Sequence, residues 1–207
     1  NFKGGTGKTT HRTMIAHALA MKGYKVLLCD QDPQANATSL YLKTKVLEAD
    51  EIITFNKTLM AAIQEEDLGQ IVTEIKENLY LLPSFSDFAL YPRFLEKKFP
   101  NDPIARVQYF SSLIEPLKKD YDFIFIDVLP VLLKNGAAVD LATLENAREI
   151  FGEENLFANI VSNMERLKRF DITGITNDDM HDRKVHKSYG TIADEFIARV
   201  QAELAEV

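Results

Sequence analysis

The first ten residues, Asn1-Phe2-Lys3-Gly4-Gly5-Thr6-Gly7-Lys8-Thr9-Thr10, carry the densest chemistry in the chain. Phosphate-binding loops follow the spacing G-x-x-x-x-G-K-[ST]. Gly7-Lys8-Thr9 meets the second half of that spacing. Phe2 takes the place of the first glycine, and Lys3 stands among the spacers. Glycines, having no Cβ, let successive backbone N–H groups turn toward one anion. Lys8 adds a point charge for the β- and γ-phosphates, and the Thr9 hydroxyl is placed for Mg²⁺. A helix starting here would aim its positive end at the phosphates. The pattern is a variant phosphate loop with two lysines where the ordinary loop has one.

Phosphoryl transfer also needs a metal and an oriented nucleophile. Two apolar runs deliver carboxylates suited to both. Lys25-Val26-Leu27-Leu28-Cys29 leads into Asp30-Gln31-Asp32-Pro33, and residues 121–126 (Tyr-Asp-Phe-Ile-Phe-Ile) lead into Asp127. In open α/β sheets ligands bind beyond the carboxyl ends of the strands. Two carboxylates beside a phosphate would repel it unless they serve a metal or a water. Asp127 reads as a carboxylate that holds Mg²⁺ through water, with a turn or cap residue as the plainer alternative. Asp32-Pro33 also suits a helix N-cap followed by proline at the first helical position, and the two roles of Asp32 are compatible.

K-G-G-T-G-K-T-T and D-x-D-P-Q-x-N-x-T resemble the deviant Walker A loop and the A′ motif of the ParA/MinD family of ATPases, ParA-type plasmid partition proteins above all. The resemblance is densest over residues 1–42. It implies a three-layer α/β fold of P-loop NTPase type, a doubly wound, mostly parallel sheet flanked by helices, in one domain over residues 1–207. It implies ATP and Mg²⁺ as cofactors, with Lys3, Gly4, Gly5, Thr6, Gly7, Lys8, Thr9 and Thr10 around the nucleotide. Lys3, Lys8 and Asp32 would be catalytic: Lys3 reaches across a homodimer to the partner's nucleotide, and Asp32 orients the attacking water. Thr9, Asp30 and Asp127 would surround the metal. Such a protein hydrolyses ATP, binds DNA without sequence preference as an ATP-dependent dimer, and is stimulated by a ParB-like adaptor in the nucleoid-associated cytoplasm. The alternative within the family is a MinD-like membrane-positioning ATPase. That needs a basic amphipathic terminal helix, and the polar face here carries Asp194, Glu195, Glu203 and Glu206. A reductase on the same scaffold needs cluster cysteines, and the chain has only Cys29. A small-molecule kinase on that scaffold, or a DNA-binding regulator, are the remaining readings.

The elements that must hold these residues follow from periodicity. Residues 10–22 place Met14, Ile15, Ala18 and Leu19 on one helical face, and Gly23 stands past the helix end. Lys25–Cys29 is a strand of the kind buried in a parallel sheet. Residues 46–77 are helical in pattern, with Leu59, Ile63, Ile71 and Ile75 as core candidates. Residues 79–83 read as a strand ending at Pro83, residues 84–119 as loop and helix, and residues 121–126 as a central strand. Residues 139–150 read as a helix, Asn155-Leu156-Phe157 as a short strand, and residues 189–206 as a terminal helix with the apolar stripe Ile192, Ala193, Phe196, Ile197, Val200 and Leu204. Two features break the pattern. The strand that normally precedes such a loop is expected upstream of residue 1. At Val128-Leu129 two apolar runs fuse without a turn, which makes a strand far longer than the usual ~5–6 residues and suggests a missing strand–helix segment of roughly 30 residues.

With 207 residues, 46% hydrophobic and 27% charged, the chain has the material for one α/β domain with a sizeable core. Its net charge of −7 removes any whole-protein attraction to nucleic acid, so DNA contact would need a local patch. Arg166, Lys168, Arg169, Arg183, Lys184 and Lys187 form one candidate, interleaved with acids that fit a solvated charged face equally well. Arg93, Lys97, Lys98, Lys118 and Lys119 form a second. Lys134-Asn135-Gly136 suits a turn or the wall of an adenine pocket. One cysteine excludes a disulfide framework, and a reducing cytoplasm with no membrane partner is the simple expectation.

Overall fold

The protein is described here from a computed structural model over residues 8–49, 54–127, 157–159 and 164–205. Helix α1 spans Lys8–Met21. Its C-terminus is closed in the manner expected of Gly23, which takes φ +90°. The Gly23 N–H donates to the Ala20 carbonyl at 2.9 Å and the Tyr24 N–H to the Leu19 carbonyl at 3.2 Å, the paired bonds of a Schellman end. The chain then enters β1, Val26–Asp30, which is buried along its whole length.

Among the described residues the sheet has the order β2-β3-β1-β4. β1 runs parallel to both β3 (Leu79–Leu82) and β4 (Phe123–Asp127). β2 (Thr73–Lys76) runs antiparallel at the edge. Alternate residues of β1 feed two cores. Val26 and Leu28 join Met14, Leu19, Leu40, Tyr41 and Phe170 on one face, while Leu27 and Cys29 join Leu59, Ile63, Tyr109 and Phe110 on the other. One layer holds α1, α2 (Asn36–Ala49), α6 (Glu165–Thr173) and α7 (Met180–Ala205). The other holds α3 (Leu59–Gln64), α5 (Pro103–Ile114) and the short α4 (Tyr91–Lys98). The sheet between them makes the three-layer, mostly parallel α/β architecture expected.

Three expectations need correction. Residues 46–77 are not one helical stretch: α2, α3, a 3-10 turn at Leu68–Ile71 and strand β2 share them. Leu59, Ile63, Ile71 and Ile75 are buried as foreseen, but Ile75 lies in a strand. The hairpin to β3 turns at Asn78, which takes φ +65°, a conformation asparagine tolerates. The terminal helix begins at Met180, not at residue 189, because Asp179 Oδ1 accepts from the backbone N–H groups of His181 and Asp182 at 2.8 and 3.0 Å and caps it there. Its buried face runs through Val185, Tyr189, Ile192 and Ala193, and Leu204 stays exposed. Phe157 is not part of a strand. The Val128–Leu129 junction, Lys134-Asn135-Gly136, the 139–150 helix and Asn155-Leu156 lie outside the described residues.

Candidate active site

β1 and β4 lie side by side with Asp30 opposite Asp127, and the Gln31 N–H donates to the Asp127 carbonyl at 2.7 Å. Both carboxylates therefore sit at the C-terminal edge of the sheet, and both are fully buried. α1 meets this edge at its N-terminal end. Lys8 opens the helix, and Thr9 and Thr10 are half-buried in its first turn. The Thr13 hydroxyl donates back to the Thr9 and Thr10 carbonyls at 3.0 and 2.9 Å, and the Tyr41 hydroxyl donates to the Thr13 carbonyl at 2.7 Å. This ties the first turns of α1 to α2. Lys3, Gly4, Gly5, Thr6 and Gly7 lie outside the described residues.

Asp30 organises the loop after β1. Its Oδ1 accepts from the Asp32 N–H at 3.0 Å, and its Oδ2 accepts from both the N–H and the hydroxyl of Thr38 at 2.9 and 2.7 Å. The Thr38 hydroxyl in turn accepts from the Ser84 N–H at 2.9 Å, which locks the loop to the end of β3. Burial pushes the Asp30 pKa above the usual carboxylate range and the charge of Asp127 adds to this, against the lowering effect of the Thr38 and Asp32 bonds. With Oδ2 spent on two donors, only Oδ1 retains a lone pair for a further partner.

Asp32 does not cap a helix at Pro33, as its sequence context suggests. Its Oδ1 accepts from the Gln34 N–H at 2.9 Å, and its carbonyl accepts from the Ala35 N–H at 2.8 Å. Ala35 takes φ +53°, and α2 starts only at Asn36. The side chain thus closes a local turn of the kind aspartate favours. It is held within the fold at 6% exposure beside Asp30.

Asp127 has a partner that sequence patterning did not single out. The Arg12 guanidinium donates to Asp127 Oδ1 at 2.6 Å, while Oδ2 is buried without a hydrogen-bond partner. Arg12 follows Lys8 by four residues and Thr9 by three, so it shares their helix face. That spacing was the available signal. A buried polar atom with no partner is costly, about 1–3 kcal/mol, and such an atom at a sheet's carboxyl edge suits a donor such as a metal-bound water. The residues present therefore fit a hydrated divalent cation at Asp127, whose partner in register on β1 is Asp30.

The basic residues considered for DNA are divided. Arg166 is committed inside the fold, donating to Asp179 and to the buried Asp182. Asp182 also accepts from the Thr176 hydroxyl and the Asp178 N–H, each at 2.8 Å. Burial alone would raise the Asp182 pKa, but the bonds from Arg166, Thr176 and Asp178 outweigh it and hold the carboxyl well below its usual range. Lys168 pairs with Glu165 at 2.7 Å on the surface. Arg169, Arg183, Lys184 and Lys187 are exposed.

Against known proteins, residues 1–144 match the AAA_31 family, described as an AAA domain. The chain belongs to this family, a phosphate-loop group of ParA/MinD type. It is 32% identical over 141 residues to a putative replication protein A of Rhizobium rhizogenes, which covers 64% of this chain and 34% of that protein. It is 31% identical over 150 residues to the tyrosine-protein kinase CpsD of Streptococcus agalactiae, covering 71% of this chain and 55% of that one. It is 30% identical over 153 residues to plasmid partition protein A of Escherichia coli, covering 67% and 38%. The chain thus spans a third to about half of these relatives. A solved plasmid partition protein from Borrelia burgdorferi shares the fold with a TM-score of 0.58 at 23% identity, over 95% of each chain.

Proposed function

We propose that the chain is a ParA-type ATPase that hydrolyses ATP in the service of plasmid or chromosome partition. The observation that carries the reading is the meeting of Asp30, Asp32 and Asp127 at one sheet edge beside the start of α1, with one oxygen of Asp127 buried and unpartnered. Gly4–Thr10 and Lys8 bind the phosphates. Thr9, Asp127 and Oδ1 of Asp30 hold the metal, and Asp30 chiefly positions the loop that carries Asp32. Bound Mg²⁺ neutralises charge on the β- and γ-phosphates. Asp32 accepts a hydrogen bond from the attacking water and orients it in line with the bond that breaks. Lys3 reaches the nucleotide of a second copy, so hydrolysis belongs to an ATP-dependent homodimer. That dimer binds DNA without sequence preference through exposed basic residues, among them Arg169, Arg183, Lys184 and Lys187, and a ParB-like adaptor stimulates turnover.

The likeness to a tyrosine-protein kinase supports a second reading, in which the γ-phosphate passes to a tyrosine hydroxyl. One experiment separates them: phosphate release from ATP with and without DNA and candidate adaptor, at two salt concentrations, with blotting for phosphotyrosine. Release that rises with DNA or adaptor, and falls back at high salt, supports partition. Phosphotyrosine with a rate indifferent to both overturns it.

A further inference from the structure

The other end of α1 borders a cavity that the nucleotide site does not use. It has a volume of about 530 Å³ and lies among the last turns of α1, the end of β2, the loop before α7 and the first half of α7. That volume is within the ~300–1,000 Å³ of small-molecule sites. His17, in its wall, follows Lys8 by nine residues, about 14 Å along the helix. The cavity is therefore separate from the phosphate end.

Its lining is divided between apolar and polar groups. Met21 and Leu47 are both in the wall and both largely exposed, at 61% and 54%. Gly190 opens the α7 side: a Cβ built there would meet nothing within 4 Å. The polar side holds His17 and His186, whose rings lie 5.4 Å apart. His186 Nε2 is engaged with the Thr176 carbonyl at 2.7 Å. A carbonyl can only accept, so Nε2 carries the proton. His17 Nδ1 is buried with no hydrogen-bond partner. Lys22 and Lys76 line the same cavity, against one carboxylate, Asp178. The Lys22 ammonium rests on Asp194 at 2.7 Å, but Asp194 is two-thirds exposed, and a pair of that kind contributes ~0–1 kcal/mol. It yields readily to a better anion.

A metal does not suit these groups. No cluster of three or more His, Cys, Asp or Glu side chains able to hold one occurs among the described residues, and two lysines in the wall repel a cation. Burial, then the charges of Lys76 and His186, push the His17 pKa down to about 3, so its ring is neutral at physiological pH. We infer that this cavity is a binding site for a small organic anion with an apolar body. The acidic head lies toward Lys22, Lys76 and the histidine pair, and the body lies against Met21, Leu47 and the open face at Gly190.

The probe is 8-anilinonaphthalene-1-sulfonate, an anionic head on fused apolar rings, titrated by fluorescence into the purified chain. N-phenyl-1-naphthylamine, the same body without the sulfonate, serves as the uncharged control. Saturable one-site binding of the sulfonate is expected, at least tenfold tighter than the amine. Gly190→Leu should weaken it tenfold or more by filling the cavity, while the helix is retained because leucine is the better helix former. Lys76→Gln should weaken it severalfold. The histidine ring proton resonances of His17 and His186 should shift on saturation in the wild-type chain and not in Gly190→Leu. Equal affinity for the two probes, unchanged binding in Gly190→Leu, or unmoved histidine signals would each overturn the assignment.

Discussion

Arg12 and Asp127 share one short ion pair, at 2.6 Å between a guanidinium nitrogen and Oδ1, and it leaves Oδ2 of the same carboxylate buried and unpaired. The pair joins the second turn of α1 to the end of β4. The Arg12 side chain is 31% exposed and that of Asp127 only 1%, so the carboxylate depends on a counter-charge that solvent partly screens. Arg12→Met should therefore destabilise the metal-free chain by roughly 1–3 kcal/mol, below the figure for a fully buried pair. On the proposed reading, a divalent cation near Oδ2 would supply a second counter-charge. Magnesium ADP should then stabilise Arg12→Met by more than it stabilises the wild type. Urea midpoints with and without magnesium ADP measure this, and equal gains in the two proteins would show that Asp127 does not face the metal.

Asp32 sits beside Asp30 in a turn closed by its own side chain. On the proposed mechanism, Asp32→Ala removes the oxygen that orients the water, together with the bond to the Gln34 N–H, and leaves the proposed phosphate-binding groups in place. Hydrolysis should fall at least a hundredfold, about 2.7 kcal/mol in the barrier, with ATP affinity nearly unchanged. Radiolabelled phosphate release and equilibrium nucleotide binding separate the two. A variant that turns over normally removes Asp32 from the chemistry.

The place of Asp30 and Asp127 at the sheet edge was legible because it is fixed by short-range spacing. The apolar run Val26–Cys29 leads directly into Asp30, and the run over residues 121–126 leads directly into Asp127. The helix end at Gly23 was legible for the same reason. What was not legible depends on contacts between distant segments. Thr38 holding Asp30 while accepting from Ser84 joins residues 46 positions apart, and Arg12 reaches Asp127 over 115. β2 was hidden because four residues are too few for an alternating pattern to outweigh the helical run around them. Proline after Asp32 suits a helix start at that point, whereas the left-handed Ala35 postpones α2 to Asn36.

On the proposed reading, Lys3 separates a dimeric site from a self-sufficient one. If it acts on the nucleotide of a second copy, Lys3→Ala should abolish dimer formation with a non-hydrolysable ATP analogue while the monomer still binds that analogue. Analytical ultracentrifugation with the analogue reads out the first, and calorimetry the second. A Lys3→Ala chain that dimerises as the wild type does would restrict Lys3 to its own phosphates.

Gly174 ends α6 at φ +86° and ψ 172°, a region open essentially to glycine alone. It also packs hard against α2: a Cβ there would come within 2.7 Å of the Thr44 nitrogen and 2.8 Å of the Lys43 carbonyl carbon, both backbone atoms. Next to it the Ile175 N–H donates to the Thr44 hydroxyl at 2.9 Å. Strain and clash act together, so Gly174→Ala should lose about 3 kcal/mol or more, which denaturant midpoints would detect. Gly23→Ala is the matched control: it also has positive φ but meets nothing within 4 Å, and it should lose only about 1 kcal/mol. Similar losses at both positions would mean that the α2–α6 contact is looser than described.

His17 makes the stability of the fold depend on pH in a definite direction. Burial first, then the charges of Lys76 and His186, lower its pKa from 6.5 to about 3. In the unfolded chain the imidazole takes up a proton near its ordinary value, while in the folded chain it stays neutral. The unfolded state therefore binds more protons between those values, and stability rises with pH across that window. Above about pH 6.5 the stabilisation is fully present. As pH falls toward 3 it is lost, by at most ~1.4 kcal/mol per unit. His17→Phe keeps a flat ring against His186 without a titrating group, so between pH 6.5 and 4.5 the wild type should lose roughly 2–3 kcal/mol more than the variant. Urea melts at the two pH values give the difference directly, since the carboxylates and the other histidines are common to both proteins. Parallel losses would mean that His17 protonates without leaving the fold.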